Sequence, residues 1–406
     1  MSSSRKENII LFDDDHWQSL LPITYTRPIA EIRIGILTIR EKWEARVNCQ
    51  TSFITQDYLS EKFPIEISNN NLVINSRLLP NDNMEDLILQ LDINEVLLYQ
   101  DSLIAARLDK TQFDKLIENQ GLDELNGIDI SKHQKYIHLI SKPYDVFKEN
   151  GKELAKDYKI LTYGRTSEMI PYHCHPIAPD NIFIERGAKI TCCTLNASDG
   201  PIYIGKDAEV MEGAHIRGPF ALLDNSVVKM GAKIYKDTTV GPWSKVGGEV
   251  SNVVFQGYSN KGHDGYLGNS YIGEWCNLGA DTNSSNLKNN YAEVKIWDYN
   301  KNGFSTTGLQ FCGLITGDHS KTGINTMLNT GTLIGVNANV YGSGFPRTFI
   351  PSFSWGGSSG YKTYKIDKAL EVAEKVMARR SIELSDQDKI ILEYVYHNTA
   401  TYRNWE

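Results

Sequence analysis

From about residue 177 onward an aliphatic residue recurs every six positions, often followed by glycine and with a small residue four places on. Ile184 leads to Ile190, Ile204 to Val210 and Ile216, Val228 to Ile234, Val240 and Val246, Ile272 to Leu278, and Ile334 to Val340. The turns "IGKDAE", "VGPWSK", "IGEWCN" and "IGVNAN" begin at Ile204, Val240, Ile272 and Ile334. A period of six fits neither a helix nor a single strand. It is the period of a parallel β-helix, in which aliphatic side chains fill one core column and small residues fit the corners.

Two stretches interrupt the pattern. One is "QGYSNKGHDGYLG" around His263; the other is the Asn-rich run from Asn283 to about Phe311, expected as a long projecting loop. After Pro351, "SWGGSSG" ends the array. Ile366, Leu370, Ala373 and Met377 then share a helical face, and "SDQD" from Ser385 supplies a capping-box start for a second helix. Such a tail is expected to cover the open end of the coil, where edges would otherwise stay unpaired.

The N-terminal part follows another pattern. Short apolar runs at Asn8–Phe12, Thr51–Thr55, Asn71–Asn75 and Asn94–Gln100 predict buried strands, and Ile34–Trp43 and Met84–Leu91 carry helical spacing between them. That is an α/β layout. "KPYDVFKENGKELAKD" then reads as a connector helix. The predicted divisions are an α/β domain over 1–141, a connector over 142–160, a β-helix over 161–350 and a helical tail over 351–406.

A net charge of −8 without Lys/Arg runs argues against nucleic acid and acidic membrane surfaces as partners, while leaving room for a local basic pocket. The run Ile9–Phe12 is too short for a signal-peptide core and is followed by Asp13, Asp14 and Asp15; with no apolar run near the ~20 residues of a membrane span, a cytoplasmic protein is expected. Six cysteines without a C-x-x-C pair fit a reducing compartment. "YHCHP" at Tyr172–Pro176 has poor zinc spacing and reads as surface or linker.

Around His263 the text is more specific. Gly262-His263, Tyr266, Leu267-Gly268, Ile272-Gly273 and Asn277-Leu278-Gly279-Ala280, with Thr282 and Asn286, stand in gapless register with the acetyltransferase half of the bacterial bifunctional glucosamine-1-phosphate N-acetyltransferase/N-acetylglucosamine-1-phosphate uridyltransferase family. The chain resembles a divergent, Bacteroidetes-type group of that family, often called sugar nucleotidyltransferases. The resemblance implies a nucleotidyltransferase-like α/β domain followed by a left-handed β-helix of hexapeptide repeats, assembled as a homotrimer in the cytoplasm.

It also implies roles. His263 would be the general base that takes a proton from a sugar 2-amino group as the amine attacks the thioester of acetyl-CoA. Tyr266, Asn277 and Asn286 would hold the amino-sugar phosphate or the acetyl arm, and Ala280 the CoA chain. An amine nucleophile must be neutral, and imidazole titrates near working pH. A histidine in a polar loop can equally serve one local hydrogen bond. The chain departs from the family a dozen residues upstream, where a basic motif grips the sugar phosphate but "GGEVSN" stands here; Lys245, Lys261 and Lys233 are the cations available instead. Lys321, in "GDHSKTGINTMLNTGT", is the cation for a CoA phosphate.

In the N-terminal domain only "LLPITYTRP" is similar to the nucleotidyltransferase opening, and Arg27 and Arg33 are the candidates for nucleotide phosphates. Three aspartates stand where phosphates would lie, which calls for magnesium. Ser76-Arg77 replaces the family's metal-binding aspartate, leaving Asp101 as the candidate ligand. The reading is acetyl-CoA-dependent N-acetylation of an amino-sugar 1-phosphate such as glucosamine 1-phosphate, coupled to uridylyl transfer from UTP to give UDP-N-acetylglucosamine. Two alternatives stay open: a sugar-phosphate nucleotidyltransferase with a structural or regulatory β-helix, and a non-catalytic ligand-binding or assembly protein.

Overall fold

A computed structural model describes residues 8–100, 102–117 and 125–405. The chain divides into two compact units: 1–17, 27–32 and 37–141 form the first, and 18–26, 33–36 and 142–406 the second.

The first unit is built on a six-stranded sheet in the order 51–54, 8–12, 70–75, 102–109, 95–99, 126–129. Asn8–Phe12 runs parallel to both neighbours, whereas Ser102–Asp109 is antiparallel to Asn70–Asn75 and Glu95–Tyr99. Continuous apolar runs suit strands covered on both faces; Ile9, Ile10 and Leu11 are all fully buried. Helices Ile39–Val47 and Asp82–Leu89 follow strands of this sheet or precede them. The first helix begins later than its apolar spacing suggested. Thr38 accepts from the Glu41 N–H while Glu41 returns a bond to the Thr38 N–H, a capping box that fixes the start. Gly35, at φ +83°, lies where a Cβ would come within 2.5 Å of the Asp157 carboxylate, so 33–36 are not helical.

In the second unit, helix Asp145–Thr162 buries a stripe that includes Asn150 and Asp157. These polar groups are satisfied: Asn150 Oδ1 accepts from the Gly35 N–H at 2.7 Å, and Asp157 Oδ2 from the Ile36 N–H at 2.8 Å.

Beyond it lies a parallel β-solenoid. Ile204, Leu222, Val240, Phe255, Ile272, Thr316, Ile334 and Ile350 stack rung on rung in one inward column. Leu195, Ile216, Ile234, Val250 and Leu267 form a second. Ile190, Val210, Val228, Val246 and, in the same position, Lys261 form a third. The α/β layout and the β-helix expected from the repeat are both present.

Two expectations are corrected. The stretch around His263 does not leave the array, because Asn260–Lys261 pairs with Lys245–Val246 and Tyr266–Ile272 with Glu249–Phe255; only the spacing is shorter than in earlier coils. The Asn-rich excursion is not an open loop either. It holds an antiparallel hairpin, Lys295–Asp298 with Gly303–Thr306, whose Trp297 ring stacks on Phe349 at 4.1 Å and 4°. Aromatic burial of this kind outweighs the polar composition of the flanks.

The solenoid ends where Ser354–Gly357 pairs with Asn339–Val340 and folds back on Gly360–Thr363. Helices Ile366–Ala378 and Asp386–Asn398 follow, the second with the Ser385/Asp388 capping box. Arg403 donates to the Ser352 carbonyl at 3.1 Å, so the tail is tied to the last coil. Among the described residues no helix is long and apolar enough to cross a membrane.

Candidate functional site

The solenoid places the candidate residues in two groups. Lys245, Asn260, Asn277 and Lys321 occupy equivalent positions on successive rungs, paired 245 with 260, 260 with 277 and 277 with 321. Their neighbours in sequence, Val246, Lys261, Leu278 and Thr322, are buried, so alternation turns this ladder outward. Asn260 Nδ2 donates to Asn277 Oδ1 at 2.9 Å, tying the middle rungs together. A cavity of about 350 Å³ lies over them, closed by Tyr258, Trp275, Cys276, Val376, Arg379 and Arg380. Lys245, Asn277 and Lys321 were singled out from the sequence. Asn260, Arg379 and Arg380 were not; for the two arginines, their place as a pair just after an apolar helical face is the signal the sequence holds.

The second group surrounds the corner after this ladder. His263 is exposed and is not among the described residues lining the cavity. Lys261, expected to meet substrate, is instead buried at 1% exposure in the inward column. Its Nζ donates to the His263 carbonyl at 2.8 Å and to the Asp264 carbonyl at 3.3 Å. An ammonium in an apolar column needs such acceptors. Burial pulls it down to about 8, against the opposing pull of Asp264 and Asp281.

Tyr266 and Asn286 meet as a pair: Asn286 Nδ2 donates to the Tyr266 hydroxyl at 3.0 Å and to Asn269 Oδ1 at 2.8 Å. Gly268 makes this possible, since a Cβ there would lie 2.4 Å from the phenol oxygen and 2.6 Å from Asn286 Nδ2. Burial raises the Tyr266 phenol above its ordinary range, keeping it a neutral donor. The Ala280 carbonyl is taken by the Asn325 N–H at 2.8 Å. Lys321, half-buried, donates to the His319 carbonyl at 2.7 Å, and burial pulls its ammonium down to about 8.

The N-terminal candidates are placed differently. Arg33 is buried and donates to the Gln256 and Ile36 carbonyls; Arg27 is also buried. Neither side chain is presented as an open phosphate grip. Asp14 accepts from Arg77 through Nε at 2.9 Å and Nη2 at 2.6 Å, and from Asn75 Nδ2 at 2.9 Å. Burial would raise its carboxyl, but the bonds from Arg77 and Asn75 and the Arg77 charge outweigh that and hold it below its ordinary value. Among the described residues no three His, Cys, Asp or Glu are grouped to hold a metal, and the Asp14 oxygens already face a guanidinium. Asp101 lies outside the described residues.

Asp13 supplies a pH-dependent prediction. Burial pushes its carboxyl up to about 7 from an ordinary value of 3.8, against hydrogen bonds from Thr55 and the Ile29 N–H. The folded chain therefore holds a proton that the unfolded chain releases between about pH 3.8 and 7, and stability falls as pH rises through that window. Asp13→Asn should raise stability at pH 8 by on the order of 1–3 kcal/mol, discounted for partial exposure. Denaturant melts of both proteins at pH 4.5 and 8 check it, with the gain shrinking at the lower pH.

Residues 9–166 match the family model described as sugar nucleotidyl transferase. A bifunctional sugar-1-phosphate nucleotidylyltransferase/acetyltransferase of Sulfurisphaera tokodaii is 30% identical over 145 residues, 35% of this chain and 35% of its own. A bifunctional protein GlmU of Methanococcus aeolicus is 26% identical over 213 residues, 52% of this chain and 45% of its own. The matches thus span less than half the length of these curated relatives. Their names bear out the resemblance to the bifunctional family read from the residues. Among solved structures, the polysialic acid O-acetyltransferase OatWY is 17% identical over 47% of this chain and 87% of that one, with a TM-score of 0.29. A likeness of that size carries no argument; the solenoid rests on the rung pairing described above.

Proposed function

We propose that the chain is a two-unit transferase that N-acetylates an amino-sugar 1-phosphate, glucosamine 1-phosphate being the first candidate, at the expense of acetyl-CoA. The observation that carries the reading is the corner itself: an exposed His263 whose main chain is pinned by a buried ammonium, three residues before the tyrosine of a Tyr266–Asn286 pair. His263 takes a proton from the amine as its nitrogen attacks the thioester carbon. The tetrahedral intermediate collapses with cleavage of the C–S bond, and the His263 imidazolium returns that proton to the departing CoA thiolate, leaving the amide, free thiol and neutral base. Tyr266 and Asn286 offer a phenol and an amide to the acceptor, and Asn277 and Lys321 lie toward the donor. In a homotrimer a neighbouring copy would complete the wall that His263 faces.

Uridylyl transfer from UTP is the second activity we propose for residues 9–166, supported by the family match. The Asp14–Arg77 pair weighs against a magnesium-assisted route through those two residues. The test is thiol release from acetyl-CoA by the full chain over a panel of amino-sugar phosphates, with UTP turnover followed in parallel. Acceptor-dependent thiol release with one N-acetylated product per thiol is expected. UTP turnover with no thiol release for any acceptor would point instead to a nucleotidyltransferase with a structural solenoid, and ligand binding with neither turnover to a non-catalytic protein.

A further inference from the structure

We infer that the cavity between the outward ladder and the end of helix Ile366–Ala378 is a binding site for a pyrophosphate group. Four cationic side chains, Lys245, Lys321, Arg379 and Arg380, converge on about 350 Å³, and no carboxylate is among the described residues lining it. Like charges gathered in a partly dry space repel one another and raise the free energy of the fold unless an anion joins them. The effect registers on Lys245: after burial itself, the charges of Arg380, Lys229 and Arg379 hold its ammonium below the ordinary value, with only Glu209 opposing.

Hydrogen bonding tells the same story. Arg380 Nε is buried and has no hydrogen-bond partner among the described residues, which is costly for a guanidinium N–H. Arg379 and Arg380 follow the last turn of the helix, where one cation would suffice to offset the helix dipole. The two lysines sit at the ends of the four-rung ladder and the Asn260–Asn277 amides lie between them. With rungs about 4.8 Å apart, the donors are spread along a line rather than gathered at a point, which favours an anion with two linked phosphates over a single one.

One wall is aromatic: Tyr258 and Trp275 stand at equivalent corners of successive coils, and their rings stack at 4.3 Å and 18°.

Two sources share the chemistry: the pyrophosphate of the acyl donor, and that of a nucleoside triphosphate or nucleotide sugar acting as regulator. The site has Lys245, Asn277 and Lys321 in common with the acyl-transfer reading but does not need turnover, because it can be titrated without any donor. The experiment is calorimetric titration of the full chain with inorganic pyrophosphate, orthophosphate, CoA and UTP, for wild type and the Arg379→Gln/Arg380→Gln double variant. Pyrophosphate is expected to bind saturably and more tightly than orthophosphate, at least tenfold more weakly to the double variant. The ligand-free variant should melt at the same or a higher temperature, since repulsion is relieved. Should it fail to fold, Lys245→Gln is the substitute and should weaken pyrophosphate in the same direction. A matching loss for CoA assigns the acyl donor; a loss for UTP alone assigns a regulatory nucleotide. No saturable pyrophosphate binding, or binding indifferent to these variants, overturns the inference.

Discussion

Lys261→Ala should cost the solenoid about 2–4 kcal/mol, while Lys261→Met should cost less than about 1. Alanine removes three methylenes and the ammonium from a packed column and leaves a cavity there. Methionine fills the column and removes a desolvated charge, and the exposed corner can turn its freed carbonyls to water. Stability and catalysis should separate at this point. If acetyl transfer depends on the set of the corner, Lys261→Met lowers kcat about tenfold with little change in KM, because the base rather than the binding surface is displaced. The pH dependence gives an independent check. The folded ammonium titrates near 8, below its ordinary 10.5, so the unfolded chain binds more protons between those values. Wild type should therefore gain stability relative to Lys261→Met as pH rises from about 8 to 10. Denaturant melts across that range and steady-state kinetics at one pH carry both tests.

Asp14→Ala is the second large effect, expected to cost the first unit about 3 kcal/mol. It leaves the Arg77 guanidinium, only 3% exposed, without its counter-charge. Removing both partners should be milder. In the Asp14→Ala/Arg77→Met double variant no buried charge remains, and most of the loss should return. Melts of the two single variants and the double close this cycle. Equal losses for Asp14→Ala and the double variant would show that the pair contributes packing rather than charge.

Much of the architecture was legible because a solenoid repeats one decision many times. Ile204 and Val240 mark one column, Val210, Val228 and Val246 another, and the columns name the fold. What failed was local. Lys261 occupies the next place in the Val246 column, but a lysine in a shortened coil reads as a surface cation, and only the rung pairing shows it inward. The hairpin over 295–306 was hidden because its anchor, Phe349, lies far along the chain from Trp297. The departure at Ser76-Arg77 could be seen in the sequence; its partner Asp14, 63 residues away, could not. The cation cluster was half visible, since Lys245 and Lys321 stood out while nothing in the residues around Arg379 and Arg380 tied them to the distant ladder.

His263 carries the central claim, and its role can be measured against the wild-type chain in a single assay. With acetyl-CoA and the best amino-sugar phosphate acceptor at saturation, His263→Ala should lower kcat by about 10²–10⁴-fold, the usual span for loss of a positioned general base. Equal turnover for the two proteins would contradict the account.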